Sequence, residues 1–265
     1  MAKKDTAVAT ISEKTTALAT IDLADSTGGG LEEADPDCFV IPRLKLLQKM
    51  SPECDPDNSA YVDGAKPGLF YLLTTGELFD SETGIAVVPA YFQRRFIELV
   101  PEDLGGGFRG AYLPSDPVVL GALNSRDEKG RFLLENGNYL RDTRIHYAIL
   151  LHNDGPQPVV ITMASSQTKK SNAWNTKGRQ PLIFPDGTKN LKPAVEYRVF
   201  RLTSVPESND QYSWRGYKIA VERVIDPSDP KDVEAVVMAR AFREQVRGGV
   251  AQVEHEEEQN KALDF

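Results

Sequence analysis

From Phe39 onward the chain alternates short runs rich in β-branched and aromatic residues with clusters of Gly, Pro, Asn and Asp, and this alternation limits the fold more than any other feature. Seven runs carry it: "PGLFYLLTTG" (67–76), "GIAVVPAYF" (84–92), "RRFIELV" (94–100), "RIHYAILLH" (144–152), "QPVVITMA" (157–164), "AVEYRVFRLTSV" (194–205) and "QYSWRGYKIAVERV" (211–224). So many short strands predict a mostly β domain, an antiparallel barrel or sandwich, with helices inserted. The helices are expected over 115–125, with Ser115 as cap and Pro117 in its first turn, over 165–177, and over 228–249, where Pro230 stands early and Gly248 late. On the last of these, Val233, Val237, Met238 and Ala241 form the expected apolar stripe. Residues 1–36 show no sustained period and carry "STGGG", the composition of a disordered arm. The layout read from the sequence is therefore an acidic arm (1–36), a β-barrel body with insertions (37–227), a C-terminal helix (228–249) and an acidic tail (250–265).

No stretch approaches the roughly 18 apolar residues of a membrane span, and the N-terminus lacks the apolar core of a secretion signal, so no membrane is expected and the cytoplasm is the expected location. Cys38 and Cys54 stand in no metal or redox spacing and read as free thiols. His146 and His152 lie on one face of a strand but about 20 Å apart, too far to share a zinc. Neither a metal nor a cofactor is expected. Net charge is −8, yet its distribution is uneven. Residues 1–37 hold eight acids and three lysines, whereas residues 165–201 hold eight bases and two acids. A basic middle sits between acidic ends.

No nucleophile elbow, metalloprotease spacing or Walker loop occurs, so catalysis is not expected. "EDLGGGFRGAY" (102–112) reads as a mobile surface loop or a phosphate cradle. A stronger constellation lies in 165–177. As a helix it places Lys170, Trp174 and Lys177 at i, i+4 and i+7, an indole between two ammonium groups, with Lys169 beside them. Such an array suits single-stranded nucleic acid, where bases stack on aromatics for roughly 1–3 kcal/mol each while Lys and Arg follow the phosphates. The alternative is that Trp174 plugs the core. Alternation along "QYSWRGYKIAVERV" puts Tyr217, Ile219 and Val221 on an inner face and Trp214, Lys218 and Glu222 on a wetter one, with Gly216 as a point where a bulge would reset the register. "EYRVFRL" adds Arg198 and Arg201, and "YFQRRF" repeats the same mixture of aromatics and bases.

The strand pattern, "SSQTKKSNAWN" and the closing "EHEEEQNKALDF" together resemble the single-stranded DNA-binding proteins that bacteriophages encode, with a T7-like organisation. The resemblance implies an oligonucleotide-binding (OB) barrel over the body, with Lys169, Lys170, Trp174, Lys177, Arg198, Arg201, Trp214, Arg215 and Lys218 lining or neighbouring a groove for single-stranded DNA. It also implies a tail, including Glu256, Glu257, Glu258, Asp264 and Phe265, that recruits replication or recombination proteins and competes with DNA. Elementary electrostatics agrees with the competition, because an acidic strand mimics a phosphate backbone. The rival expectation is a non-enzymatic structural or protein-interaction component, distinguished by a defined oligomer without oligonucleotide affinity. The oligomeric state itself is not readable from the sequence.

Overall fold

The computed structural model describes residues 40–128, 130–184 and 187–248; the expected arm over 1–36, and the tail with Glu256, Glu257, Glu258, Asp264 and Phe265, lie outside the described residues. In chain order the strands are β1 (Arg43–Leu46), β2 (Phe70–Leu72), β3 (Glu77–Phe79), β4 (Ile85–Leu99), β5 (Phe108–Tyr112), β6 (Phe132–Leu133), β7 (Tyr139–His152), β8 (Gly155–Ala164), β9 (Leu182–Ile183), β10 (Lys189–Asn190), β11 (Arg198–Ser208) and β12 (Ser213–Val224). The helices are α1 (Pro117–Ala122), α2 (Thr168–Gly178) and α3 (Pro230–Arg247).

Eight strands follow one another across the main sheet in the order β12-β11-β4-β7-β8-β1-β2-β3. All neighbours along it are antiparallel except β1 and β8, which run parallel, so the expected antiparallel sheet is in fact mixed. The sheet curls into a half-barrel. The curl is visible in one contact: the ring of Phe70 on β2 meets that of Tyr217 on β12 at 5.9 Å between centroids, although five strands separate them in the order. Leu44, Leu72, Val87, Leu150, Ile161 and Leu202 fill the inside of the curl, and Trp174 of α2 joins them there.

Two expected strands, 84–92 and 94–100, prove to be the single fifteen-residue β4. Its register against β7 slips between Pro89 and Tyr91, a bulge that admits a proline into a central strand, where its missing N–H would otherwise break the ladder. Gly84 stands just before that strand at φ 62°, with Leu202 O only 2.1 Å from where a Cβ would stand, so no other residue fits.

The outer face of the sheet is covered by α3, through Ala235, Val236, Ala239, Phe242 and Val246. Val233 and Val237 of the expected stripe are exposed instead. The rotation of the helix is fixed at its start, where the buried Asp232 carboxylate accepts from Arg223 and from the Asp226 N–H at 2.8 Å. Asp229 caps the helix by accepting from the Lys231 N–H at 2.9 Å. Asp116, not Ser115, holds the capping position of α1. Among the described residues, no helix is long and apolar enough to cross a membrane.

Candidate functional site

The strand β12 lies at the edge of the sheet, where a backbone normally exposes unpaired N–H and C=O groups. Side chains satisfy it. Gln48, just past β1, donates to Arg215 O at 3.0 Å and accepts from Arg215 N–H at 2.8 Å. Gln167 accepts from Tyr217 N–H at 3.1 Å, and the Lys177 ammonium donates to Ile219 O. These side chains stitch the edge of the half-barrel to the turn after β1 and to α2.

At the end of the seam nearest Gln48 the chain leaves a cleft of about 410 Å³, into which the turn after β1, the segment leading to α2 and the β11–β12 hairpin converge. The hairpin tip is held by Asn209, whose side chain accepts from the N–H groups of Gln211 at 3.0 Å and Tyr212 at 2.7 Å. This turn holds Tyr212 at the surface, 45% exposed, beside the half-buried Trp214. Across the cleft stand Lys49, the exposed Met50 and Arg141, with Arg215 on the hairpin side. A second hollow of about 500 Å³ shares Ser165, Ser166 and Trp214 with the first and adds Lys169, Lys170 and Glu207. Ser165, common to both, is in a left-handed conformation at φ 49°, which costs a non-glycine residue of the order of 1–3 kcal/mol and turns the chain sharply from β8 into α2. The double hollow thus combines an exposed tyrosine and a half-buried tryptophan with five basic side chains.

The structure brings together Lys169, Lys170, Trp214 and Arg215, and it separates the other residues expected beside them. Trp174 is the clearest correction. Its indole is 2% exposed, stacks on the His146 imidazole at 4.2 Å with 12° between planes, and packs against Phe200. Lys170, Trp174 and Lys177 do share a helix face, but that face is turned to the half-barrel, and the two lysines reach past the indole to Glu207 and to the edge strand. Long aliphatic stems let ammonium groups flank a buried ring in this way. No base can stack on Trp174 in this arrangement.

Arg198 is likewise buried. Its guanidinium donates to Gly178 O and Pro181 O, each at 3.0 Å, and to Gln180 O, so it clamps the C-terminal end of α2, and burial lowers its pKa. Arg201 is paired with Glu222 on β12, at 2.9 and 2.7 Å, away from the cleft. Lys218 is exposed on the same side of β12 as Trp214 but lines neither hollow. Gly216 does not bulge the strand, for it pairs in register with Val205; the slip comes farther along, at Glu222 between the Phe200–Val221 and Val199–Arg223 pairs, and Val221 is exposed.

His146 completes the inner wall. Burial, with Arg144 nearby, pushes its pKa down to about 3, and its Nε2 is 2.8 Å from the buried Ser171 hydroxyl. It is a neutral structural imidazole. Sequence reasoning passed over Lys49, Met50, Arg141, Tyr212 and Glu207. The only sequence signal for them is adjacency: Tyr212 sits two residues from Trp214 in "QYSWRG", whereas Lys49 and Arg141 come from distant segments that only the curl brings together.

A protein-family model described as "Pam3 phage gp34-like protein" matches residues 11–252, most of the chain. No curated protein and no solved structure matches it.

Proposed function

The chain belongs to the Pam3 phage gp34-like family, and from that premise we propose that it is a sequence-independent single-stranded DNA-binding protein of phage DNA replication or recombination. The observation that carries the proposal is the double hollow, where the exposed Tyr212 and the half-buried Trp214 stand among Lys49, Arg141, Lys169, Lys170 and Arg215. Aromatic faces take up unstacked bases, and the surrounding bases follow the phosphates. Duplex DNA hides its base faces and so gains nothing from the rings. In this reading the half-barrel is an OB-type barrel whose seam is occupied by α2, and the protein performs no catalysis. The acidic tail recruits replication or recombination partners in the host cytoplasm.

The experiment is an anisotropy titration of labelled oligo(dT), roughly 30 nucleotides long, with the full chain at about 50 mM salt. Binding that is stronger for single than for double strands, and that weakens steeply with salt, is the expected result; a flat titration overturns the reading. A second reading, a phage structural or protein-interaction component, draws on Val233 and Val237, which α3 leaves exposed at 43% and 60%. A defined oligomer with no oligonucleotide affinity selects it.

A further inference from the structure

One acid stands among the bases of the double hollow. Among the described residues lining its two parts, Glu207 alone is acidic. Its carboxylate is engaged on both oxygens: Oε1 accepts from the Lys170 ammonium, and Oε2 accepts from Trp214 Nε1 at 2.9 Å. Both partners are residues that the proposed function assigns to nucleic acid. Glu207 projects from β11 directly opposite Trp214 on β12 and folds back over Gly216. A Cβ at position 216 would come 2.3 Å from Glu207 Oε2, so only glycine leaves room for the carboxylate there. Glycine within a strand weakens it and frequently marks the close approach of another group. Here the approaching group is an anion.

We infer that Glu207 occupies a phosphate subsite, and that in the nucleic-acid complex a phosphodiester replaces its carboxylate between Lys170 Nζ and Trp214 Nε1. The inference rests on the nucleic-acid reading above. A carboxylate and a phosphodiester each carry one negative charge spread over two oxygens that accept hydrogen bonds, and a lysine ammonium pairs with either as a point charge. Two anions at contact distance repel, so the incoming phosphate displaces Glu207 rather than joining it. The Lys170–Glu207 pair is partly open to solvent, with side chains 30% and 24% exposed, and a pair of this kind is weak enough to exchange. Glu207 therefore sets how readily the site takes a strand, keeping Lys170 engaged until a phosphate replaces it.

Glu207→Gln tests this, because glutamine keeps an oxygen acceptor for Trp214 Nε1 and removes the charge that holds Lys170. Affinity for labelled oligo(dT) is measured by anisotropy over a salt series, with thermal melting to confirm folding. The expected result is binding about two- to fivefold tighter, the worth of a solvent-accessible ion pair. The slope of log affinity against log salt should change by less than about 0.7, the increment for one phosphate contact on a single strand, because that contact forms in both proteins. Gly216→Ala, which crowds the carboxylate out by a different route, should act in the same direction. Adding Lys170→Met to Glu207→Gln should remove the gain. If the wild type binds and Glu207→Gln binds no tighter, the phosphate subsite is wrong while the nucleic-acid reading stands. If neither form binds, that reading falls and takes the subsite with it. Binding by Glu207→Gln alone, with a flat wild type, likewise overturns both, because the carboxylate then holds the site shut instead of yielding to a phosphate.

Discussion

Two tryptophans in one chain have opposite fates, and the difference is testable side chain by side chain. Trp214 is half-buried at the junction of two hollows, whereas Trp174 is sealed against His146 and Phe200. Trp214→Ala should weaken oligo(dT) binding by roughly 1–3 kcal/mol, measured by anisotropy, with little loss of stability. Trp174→Ala should instead destabilise the fold by roughly 3–5 kcal/mol in denaturant unfolding, since it empties a core position. His146 yields a pH dependence. An unfolded imidazole takes up a proton below its ordinary value of 6.5, while the folded one resists until about 3. The unfolded state therefore binds more protons in that window, and stability falls as pH drops through it, by up to about 1.4 kcal/mol per pH unit. His146→Gln should flatten unfolding free energy against pH between about 6.5 and 4. From sequence alone the two indoles look alike, each beside lysine or arginine. Only packing separates them, because the lysines that flank Trp174 have stems long enough to reach around a buried ring.

At the scale of elements, strands were legible wherever β-branched and aromatic runs were long, as in β7, β8, β11 and β12. The short strands β1 and β3 were not, because a three- or four-residue strand carries too little periodicity and is held by its neighbours. Helix α3 was legible in extent but not in rotation. Its valines at 233 and 237 look like a core stripe, yet the Asp232–Arg223 contact anchors the first turn and presents Ala235, Ala239 and Phe242 to the sheet. The edge of β12 depends on Gln48, Gln167 and Lys177 in place of a neighbouring strand. Gln48→Ala strips both partners from the Arg215 backbone and should cost about 1–3 kcal/mol of stability. Because the same residue ties β12 to the turn carrying Lys49 and Met50, the substitution should also weaken oligonucleotide binding. Unchanged stability on urea unfolding would show that the seam is held by α2 alone.

At the scale of the molecule, a net charge of −8 looks unsuited to a polyanionic partner until its distribution is traced. The curl gathers bases from residues 49, 141, 169, 170 and 215 into one place, and one acid, Glu207, stands among them. The sequence held the basic middle and the aromatics, but not the gathering, which depends on β1 pairing in parallel with β8 to bring residues 43–50 beside the chain's later strands. The central claim is that Trp214 meets the bases of a single strand. The most direct measurement is fluorescence of the Trp174→Phe protein, in which Trp214 is the only remaining indole of the two in the chain. Titration with oligo(dT) should quench that fluorescence to saturation, and duplex of equal length should quench it far less. An emission that stays constant with single-stranded DNA, from protein shown to be folded by its thermal transition, would contradict the account.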